Sequence, residues 1–254
     1  MRQEVFIKKF SKAIQEGNAA VFAGAGTSVD AGFVNWRNLV APFADEIDLD
    51  IEKETDLVGL TQYYINKKRT RGSVNQEIID KFSSQNAETE VMNLLTRLPI
   101  STYWTTNYDK VIENGLKNNN RRGDIKRKTD DLAISIRDSD AIVYKMHGDV
   151  DISKDDYERY SEKNSLFVTA LRGDLVSKTF LFVGFGFEDP NLESILGKIK
   201  NLLGERTRDH YCIQKQVLEQ DYKNREEYSY AKIKQELKIE DLKRYGIDAV
   251  LVDD

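Results

Sequence analysis

The sequence predicts an α/β protein: a Rossmann-like parallel sheet of about six strands with helices on both faces, a helical insertion and no zinc module. Three observations predict it. Short apolar or β-branched runs alternate with longer segments of helical periodicity along the chain. Several runs, Ala19 to Ala23 and Phe180 to Val183 above all, are apolar at every position, as strands covered on both faces are. Four runs end in glycine-, asparagine- or histidine-bearing turns, at the strand ends where an open parallel sheet places its ligands.

The elements follow in order. Val5, Phe6, Phe10 and Ile14 recur at helical spacing, and Gly17-Asn18 stops that helix. The first strand is Ala19 to Ala23. Asn35-Trp36-Arg37 opens a second helix with Leu39, Val40, Phe43 and Ile47 inward. From 52 to 98 the pattern is helical without strand signals. Its three stripes are Leu57, Leu60, Tyr64 and Ile65; Ile78, Ile79 and Phe82; and Val91, Leu94 and Leu95. This segment reads as a helical subdomain inserted between the first two strands of a single domain spanning 1–254. Ser101 to Thr105 is β-branched and aromatic, hence a strand, and a helix runs from Tyr108 to Leu116. The polar, basic stretch Asn118 to Lys128 reads as a loop or exposed hairpin. Ala141 to Tyr144 is a strand, 154–177 helical, Phe180 to Val183 a strand and Asn191 to Leu203 a helix. Tyr211 to Ile213 is a strand, 218–245 a charged helix, and Ala249 to Val252 the last strand.

Composition narrows the function classes. The 254 residues are 40% hydrophobic and 32% charged with a formal net charge of −5, which gives no general attraction to nucleic acid or to a membrane surface. The single cysteine, Cys212, excludes both an internal disulfide and a four-cysteine zinc site within the chain, and suits a reducing cytoplasm. No segment approaches the ~18–20 consecutive apolar residues that span a bilayer, and the Lys8, Lys9, Lys12 region lacks the apolar core of a signal peptide. The cluster Arg121, Arg122, Lys126, Arg127 and Lys128 has no interleaved aromatics and reads as a solvated loop rather than a nucleic-acid site. Tyr63, Tyr64, Tyr103 and Trp104 read as packing residues.

Three turns carry candidate chemistry. After the first strand, Ala23-Gly24-Ala25-Gly26-Thr27-Ser28 allows a pyrophosphate to approach the backbone, with N–H groups and the Thr27 and Ser28 hydroxyls as donors. The turn departs from G-x-G-x-x-G because Val29 holds the last glycine position, so a ligand-free strand-to-helix turn is an equal reading. Asn107 follows the second strand, where its amide suits a carboxamide, a ribose hydroxyl or a water; as a bare residue it equally caps the helix from Tyr108. Asp109 stabilises that helix's first turn. His147, one of two histidines, stands past a strand end before Gly148, placed as a general base or as a hydrogen-bonded structural residue. His210, ahead of Tyr211, falls at the opposite end of the sheet as a structural residue. Gly184-Phe185-Gly186 ends the strongest strand and suits close approach of a ligand or a neighbouring loop, while Asp189 and Pro190 start a helix.

Together, Gly24-Ala25-Gly26-Thr27-Ser28, Thr106-Asn107-Tyr108-Asp109 and His147-Gly148 resemble the GAG-x-S, (Q/T)-N-x-D and HG segments of the sirtuin family, in the same order. The resemblance covers essentially the whole chain and is strongest to the sirtuin-like NAD-hydrolase domains of the Thoeris anti-phage effectors. It rests there on 103–109, 143–150 and 173–182. The resemblance implies NAD+ as substrate, with no prosthetic group or metal, and hydrolysis of the nicotinamide–ribose bond that depletes NAD in infected bacteria. It implies His147 as base and Asn107 orienting water or the nicotinamide ribose. Ala23, Gly24, Ala25, Gly26, Thr27 and Ser28 would hold the pyrophosphate. Trp36, Asp109, Gly184, Phe185 and Gly186 would line the rest of the site, with Gly184 and Gly186 near the adenosine ribose. Two departures from the protein deacylases favour water as acceptor: the zinc cysteines are missing, and Asn35-Trp36-Arg37 stands where those enzymes carry Asp-Phe-Arg. The family further implies homo-oligomers and a regulatory SLOG domain sensing a cyclic ADP-ribose signal, neither of them legible in these residues. An NAD- or ADP-ribose-binding module without turnover, and a deacylase or ADP-ribosyltransferase, remain the alternatives.

Overall fold

A computed structural model of the chain describes residues 1–33, 36–82, 87–147, 153–154, 159, 162, 164–187, 190–204 and 208–253. Seven strands form one sheet in the order β3-β4-β2-β1-β5-β6-β7, with every neighbouring pair parallel. They are β1 (Ala19–Ala23), β2 (Thr102–Thr105), β3 (Gly123–Lys126), β4 (Ala141–Lys145), β5 (Thr179–Val183), β6 (His210–Lys215) and β7 (Ile247–Val252). The described helices are α1 (Gln3–Gln15), α2 (Trp36–Asp45), α3 (Leu57–Lys68), α4 (Gly72–Phe82), α5 (Glu90–Arg97), α6 (Val111–Asn118), α7 (Ser165–Ser177), α8 (Pro190–Leu203) and α9 (Arg225–Lys243).

The central strands are apolar throughout because both faces are covered. In β1, Ala20 and Phe22 enter one core with Trp104, Phe180 and Phe182 beneath α7, α8 and Leu242 of α9. Ala19, Val21 and Ala23 enter the opposite core with Tyr103, Val143, Phe10 of α1, Met92 of α5 and Ile112 of α6. The alternation of side chains along a strand thus survives inside a run that hydropathy cannot divide. A third core joins α2, α3 and α4 through Leu39, Phe43, Leu60, Tyr64, Val74 and Ile78, and Tyr108 docks on it from the sheet. Within the span 52–98, α3 and α4 therefore pack on α2, whereas α5 packs on the sheet. No described helix is long and apolar enough to cross a membrane.

Three expectations are corrected. The stretch Asn118 to Lys128 contains the edge strand β3, whose buried positions hold Asp124 and Lys126, paired at 2.8 Å with both side chains 5% exposed. Lys126 also donates to the Ile134 carbonyl, and Asp124 accepts from Ile136 N at 3.1 Å. Charges occupy the inward positions, so the strand carries no apolar alternation. The same stretch is not a solvated basic loop either. Arg121 donates to the carbonyls of Thr96, Leu98, Ile100 and Asp140, pinning the α5–β2 connection, and Arg127 reaches Glu113 at 3.4 Å; Arg122 and Lys128 are the exposed members. In α5, Val91 and Leu94 are 40% and 52% exposed, and the buried side chains are Met92 and Thr96. Likewise Ile79 of α4 faces outward at 50% exposure.

Candidate active site

The carboxyl ends of β1, β2, β4 and β5 meet around one cavity of about 630 Å³, within the range of small-molecule sites. Its floor is a seam between two glycine turns. After β1 the chain enters a tight 3₁₀ turn, Ala25–Ala31; after β5 it turns through Gly184 at a φ of 61°, in the left-handed region that glycine tolerates. The turns bond to each other, Gly24 N to Val183 O and Gly26 N to Gly184 O, both at 2.9 Å. A Cβ on Gly24 would stand 2.7 Å from Phe185 Cα, and one on Gly184 would stand 2.7 Å from the Gly26 carbonyl carbon. These glycines are required by backbone-on-backbone contact.

In that geometry much of the turn's donor capacity is spent within the protein. The N–H groups of Gly24, Gly26 and Thr27 already serve protein carbonyls, and the Thr27 hydroxyl donates to Gly24 O at 2.7 Å. Ala25 and Ser28 are the members of the turn that line the cavity; Ala23, Gly24, Gly26 and Thr27 are not among its lining residues. Ala23 is fully buried in β1.

Asn107 stands at the centre. Its backbone N donates to Thr105 Oγ1 at 2.9 Å, and Thr105 in turn donates to Ala23 O at 2.8 Å. Its amide Nδ2 donates to Gly24 O at 3.0 Å and to Ser28 Oγ at 3.1 Å. Both donors of the side chain thus hold the glycine turn, which sets the orientation of the amide. Asn107 does not cap the next helix. That helix begins at Val111, and Asp109, 4% exposed, accepts from Val111 N at 2.9 Å through Oδ1. Asp109 therefore steadies the helix start, as expected, while lining the cavity.

His147 follows β4 by two residues, is 2% exposed and lines the same cavity. Met146 N donates to Thr105 O at 2.9 Å, so the β2 and β4 ends that carry Asn107 and His147 are tied together. Trp36, Gly184, Phe185 and Gly186 complete the expected lining, with Phe185 edge-on to Phe22 at 5.0 Å between centroids. Gly148, Asn35 and Asp189 lie outside the described residues. His210 is at the far end of the sheet: it begins β6, its Nδ1 accepts from Phe180 N at 3.1 Å, and burial pushes its pKa down to about 4.

The cavity wall was not foreseen from the sequence. Phe33, Leu39, Leu57, Val58, Phe82 and Tyr108 close it from the helical side, with the Asp56 carboxylate beside them. Those residues carry an ordinary core pattern, and nothing in their spacing separates a ligand wall from packing. Lys145 was also passed over, although its signal was present: it occupies an inward position of a strand whose other inward residues are Ala141 and Val143.

Residues 101–240, which include β2, β4, β5 and the Asn107 and His147 turns, match the SIR2-like domain. The chain belongs to the SIR2-like family. This SIR2-like chain is 49% identical to NAD(+) hydrolase ThsA of Cytobacillus dafuensis, in a match covering 99% of the chain and 53% of that protein. It is 48% identical to NAD(+) hydrolase ThsA of Bacillus cereus (strain MSX-D12), covering 98% and 54%, and 46% identical to that of Acinetobacter baumannii (strain 532279), covering 99% and 53%. The SIR2-like chain spans about half the length of the curated relatives it matches. Among its described residues no group of three or more His, Cys, Asp or Glu is placed to hold a metal ion.

Proposed function

We propose that this SIR2-like chain is an NAD+ glycohydrolase, acting in bacterial anti-phage defence by depleting the cofactor. The observation that carries the reading is the convergence of Asn107, His147 and the glycine seam on one cavity in a chain nearly half identical to proteins named NAD(+) hydrolases. NAD+ is the substrate, and the residues supply the chemistry themselves. The bond between ribose C1′ and the nicotinamide nitrogen breaks, nicotinamide leaves with the electron pair, and positive charge develops on the ribose. Oriented amide and carbonyl dipoles stabilise that charge without reorganising. Asn107, with both amide hydrogens committed to Gly24 O and Ser28 Oγ, turns its carbonyl oxygen to a water or a ribose hydroxyl. The water oxygen bonds to C1′, and His147 accepts the proton. Ala25 and Ser28 meet the pyrophosphate, Gly184, Phe185 and Gly186 the adenosine side, and Trp36 and Asp109 the remaining lining.

In the same reading, 1–254 is the catalytic domain and 52–98 its inserted helical subdomain. The functional protein is a cytoplasmic homo-oligomer, controlled by a SLOG domain or a cyclic ADP-ribose signal outside these residues. The test is direct: the purified chain is mixed with NAD+ over a concentration series and products are resolved by chromatography. Equimolar nicotinamide and ADP-ribose support hydrolysis. Binding of NAD+ by calorimetry with no product at any chain concentration favours a binding module instead, and nicotinamide release only with an acetylated peptide favours a deacylase.

A further inference from the structure

Lys145 closes β4 at a position where its strand otherwise turns small apolar residues inward, and its side chain is 1% exposed. A buried ammonium is costly unless its charge is balanced and its donors are satisfied. Here both conditions hold. Nζ donates to Tyr108 O at 3.0 Å, to Asp109 O, and to Glu113 Oε1 at 3.4 Å. Three acceptors match the three donors of an ammonium. Two of them are successive main-chain carbonyls directly after Asn107, and the third stands on the first turn of α6, which leads away from that loop.

The register explains the reach. Lys145 pairs with Thr105 across the parallel β2–β4 ladder, so it lies beside the point where the chain leaves β2 for Asn107. Two residues further on is His147. One side chain therefore braces the Asn107 loop from the strand that delivers His147. Contacts from Thr105 and the glycine turn fix the loop on its other side. Glu113 faces the ammonium at 3.4 Å and so offsets part of its charge, while also pairing with Arg127 at 3.4 Å.

We propose that Lys145 is a positioning residue for NAD+ cleavage, fixing the Tyr108–Asp109 backbone so that Asn107 and His147 address the same point of the cavity. The proposal rests on the glycohydrolase reading, and its test is chosen to fail separately. Lys145→Met, Glu113→Gln and the double variant Lys145→Met/Glu113→Gln are compared with the wild-type chain by thermal unfolding, by kcat and KM for NAD+, and by amide hydrogen exchange across 106–111. The double variant removes both buried charges together and leaves the Arg127 guanidinium, whose side chain is 36% exposed, to solvent. It is expected to fold, to lose at least about tenfold in kcat with KM within about threefold, and to exchange faster across 106–111 but not in β1 or β5. Glu113→Gln alone keeps the two carbonyl bonds and is expected to stay within about threefold of wild-type kcat. Wild-type kcat in the double variant overturns the proposal, because the single-variant defect is then a stranded carboxylate. Unchanged exchange across 106–111 overturns it as well. If neither Lys145 variant folds, Lys145 serves the fold and the positioning role is rejected. If the wild-type chain releases no nicotinamide, the glycohydrolase reading fails, while exchange across 106–111 still decides whether Lys145 holds the loop.

Discussion

Asn107 is oriented before any substrate arrives, through Thr105, Gly24 and Ser28, whereas His147 reaches the cavity on the end of a strand. The two should therefore fail differently. His147→Ala is expected to lower kcat by roughly 10²–10⁴, as loss of a general base does, while the Asn107 bonds to the glycine turn stay in place. Asn107→Ala is expected to lower kcat by about 10² and also to destabilise the fold by about 1–2 kcal/mol, because Gly24 O and Ser28 lose a partner. Steady-state kinetics beside thermal unfolding separate the two. His210 gives a second prediction at this scale. Its folded-state pKa is depressed from 6.5 to about 4, chiefly by burial, so the unfolded chain binds the proton more readily between those values. Its contribution is complete above about pH 6.5 and is lost as pH falls toward 4, an effect of up to roughly 3 kcal/mol. Urea midpoints measured from pH 7 to 4 should fall across that window, and His210→Asn should flatten the dependence there. At the level of single residues, the placing of Asn107 and His147 at strand ends that meet in one cavity, and of His210 at the far end of the sheet, was legible. Lys145 was legible only as a charge at an inward strand position, because its partners are carbonyls that no sequence motif displays.

Elements were legible where hydropathy and geometry agree. β1 was read to the residue, and β5 was found as the most apolar run, since both are covered on both faces. β3 was lost because its inward positions hold an ion pair, which inverts the usual pattern. The start of α6 was placed three residues early, because the Asn107 loop has the composition of a helix start while its backbone is committed to Thr105 and Lys145. Helix and turn glycines give opposite predictions. Gly197, inside α8, has open space where a methyl group would stand, so Gly197→Ala should stabilise by up to about 1 kcal/mol and raise the unfolding temperature by about 2–4 °C. Gly24→Ala forces its methyl into Phe185 and should lower stability by about 2 kcal/mol or more, with loss of NAD+ turnover. Differential scanning fluorimetry of both variants checks the pair.

Across the whole molecule, β1 lies between β2 and β5, and the strand order runs in opposite directions on either side of it. Ligands collect at such a reversal, and residues near 25, 107, 147 and 185 meet there despite their separation in sequence. This level was legible as convergence of strand ends, but the helical wall was not, because α2 to α4 face the cavity with side chains that would serve equally as core. A ligand that fills floor and wall together should stabilise the entire domain. ADP-ribose at 100 times its Kd is expected to add about 2.7 kcal/mol, a rise on the order of 5–10 °C in unfolding temperature. No shift across a wide ADP-ribose concentration range would mean that the folded chain does not bind it. The glycine seam has a consequence for how such a site diversifies. Because Gly24, Gly26 and Gly184 meet main chain against main chain, no side chain can be added at any of them without parting the two turns. The shape of the cavity is then free to drift mainly along the helical wall, through Trp36, Leu57, Val58 and Phe82, while the glycine seam is inherited unaltered.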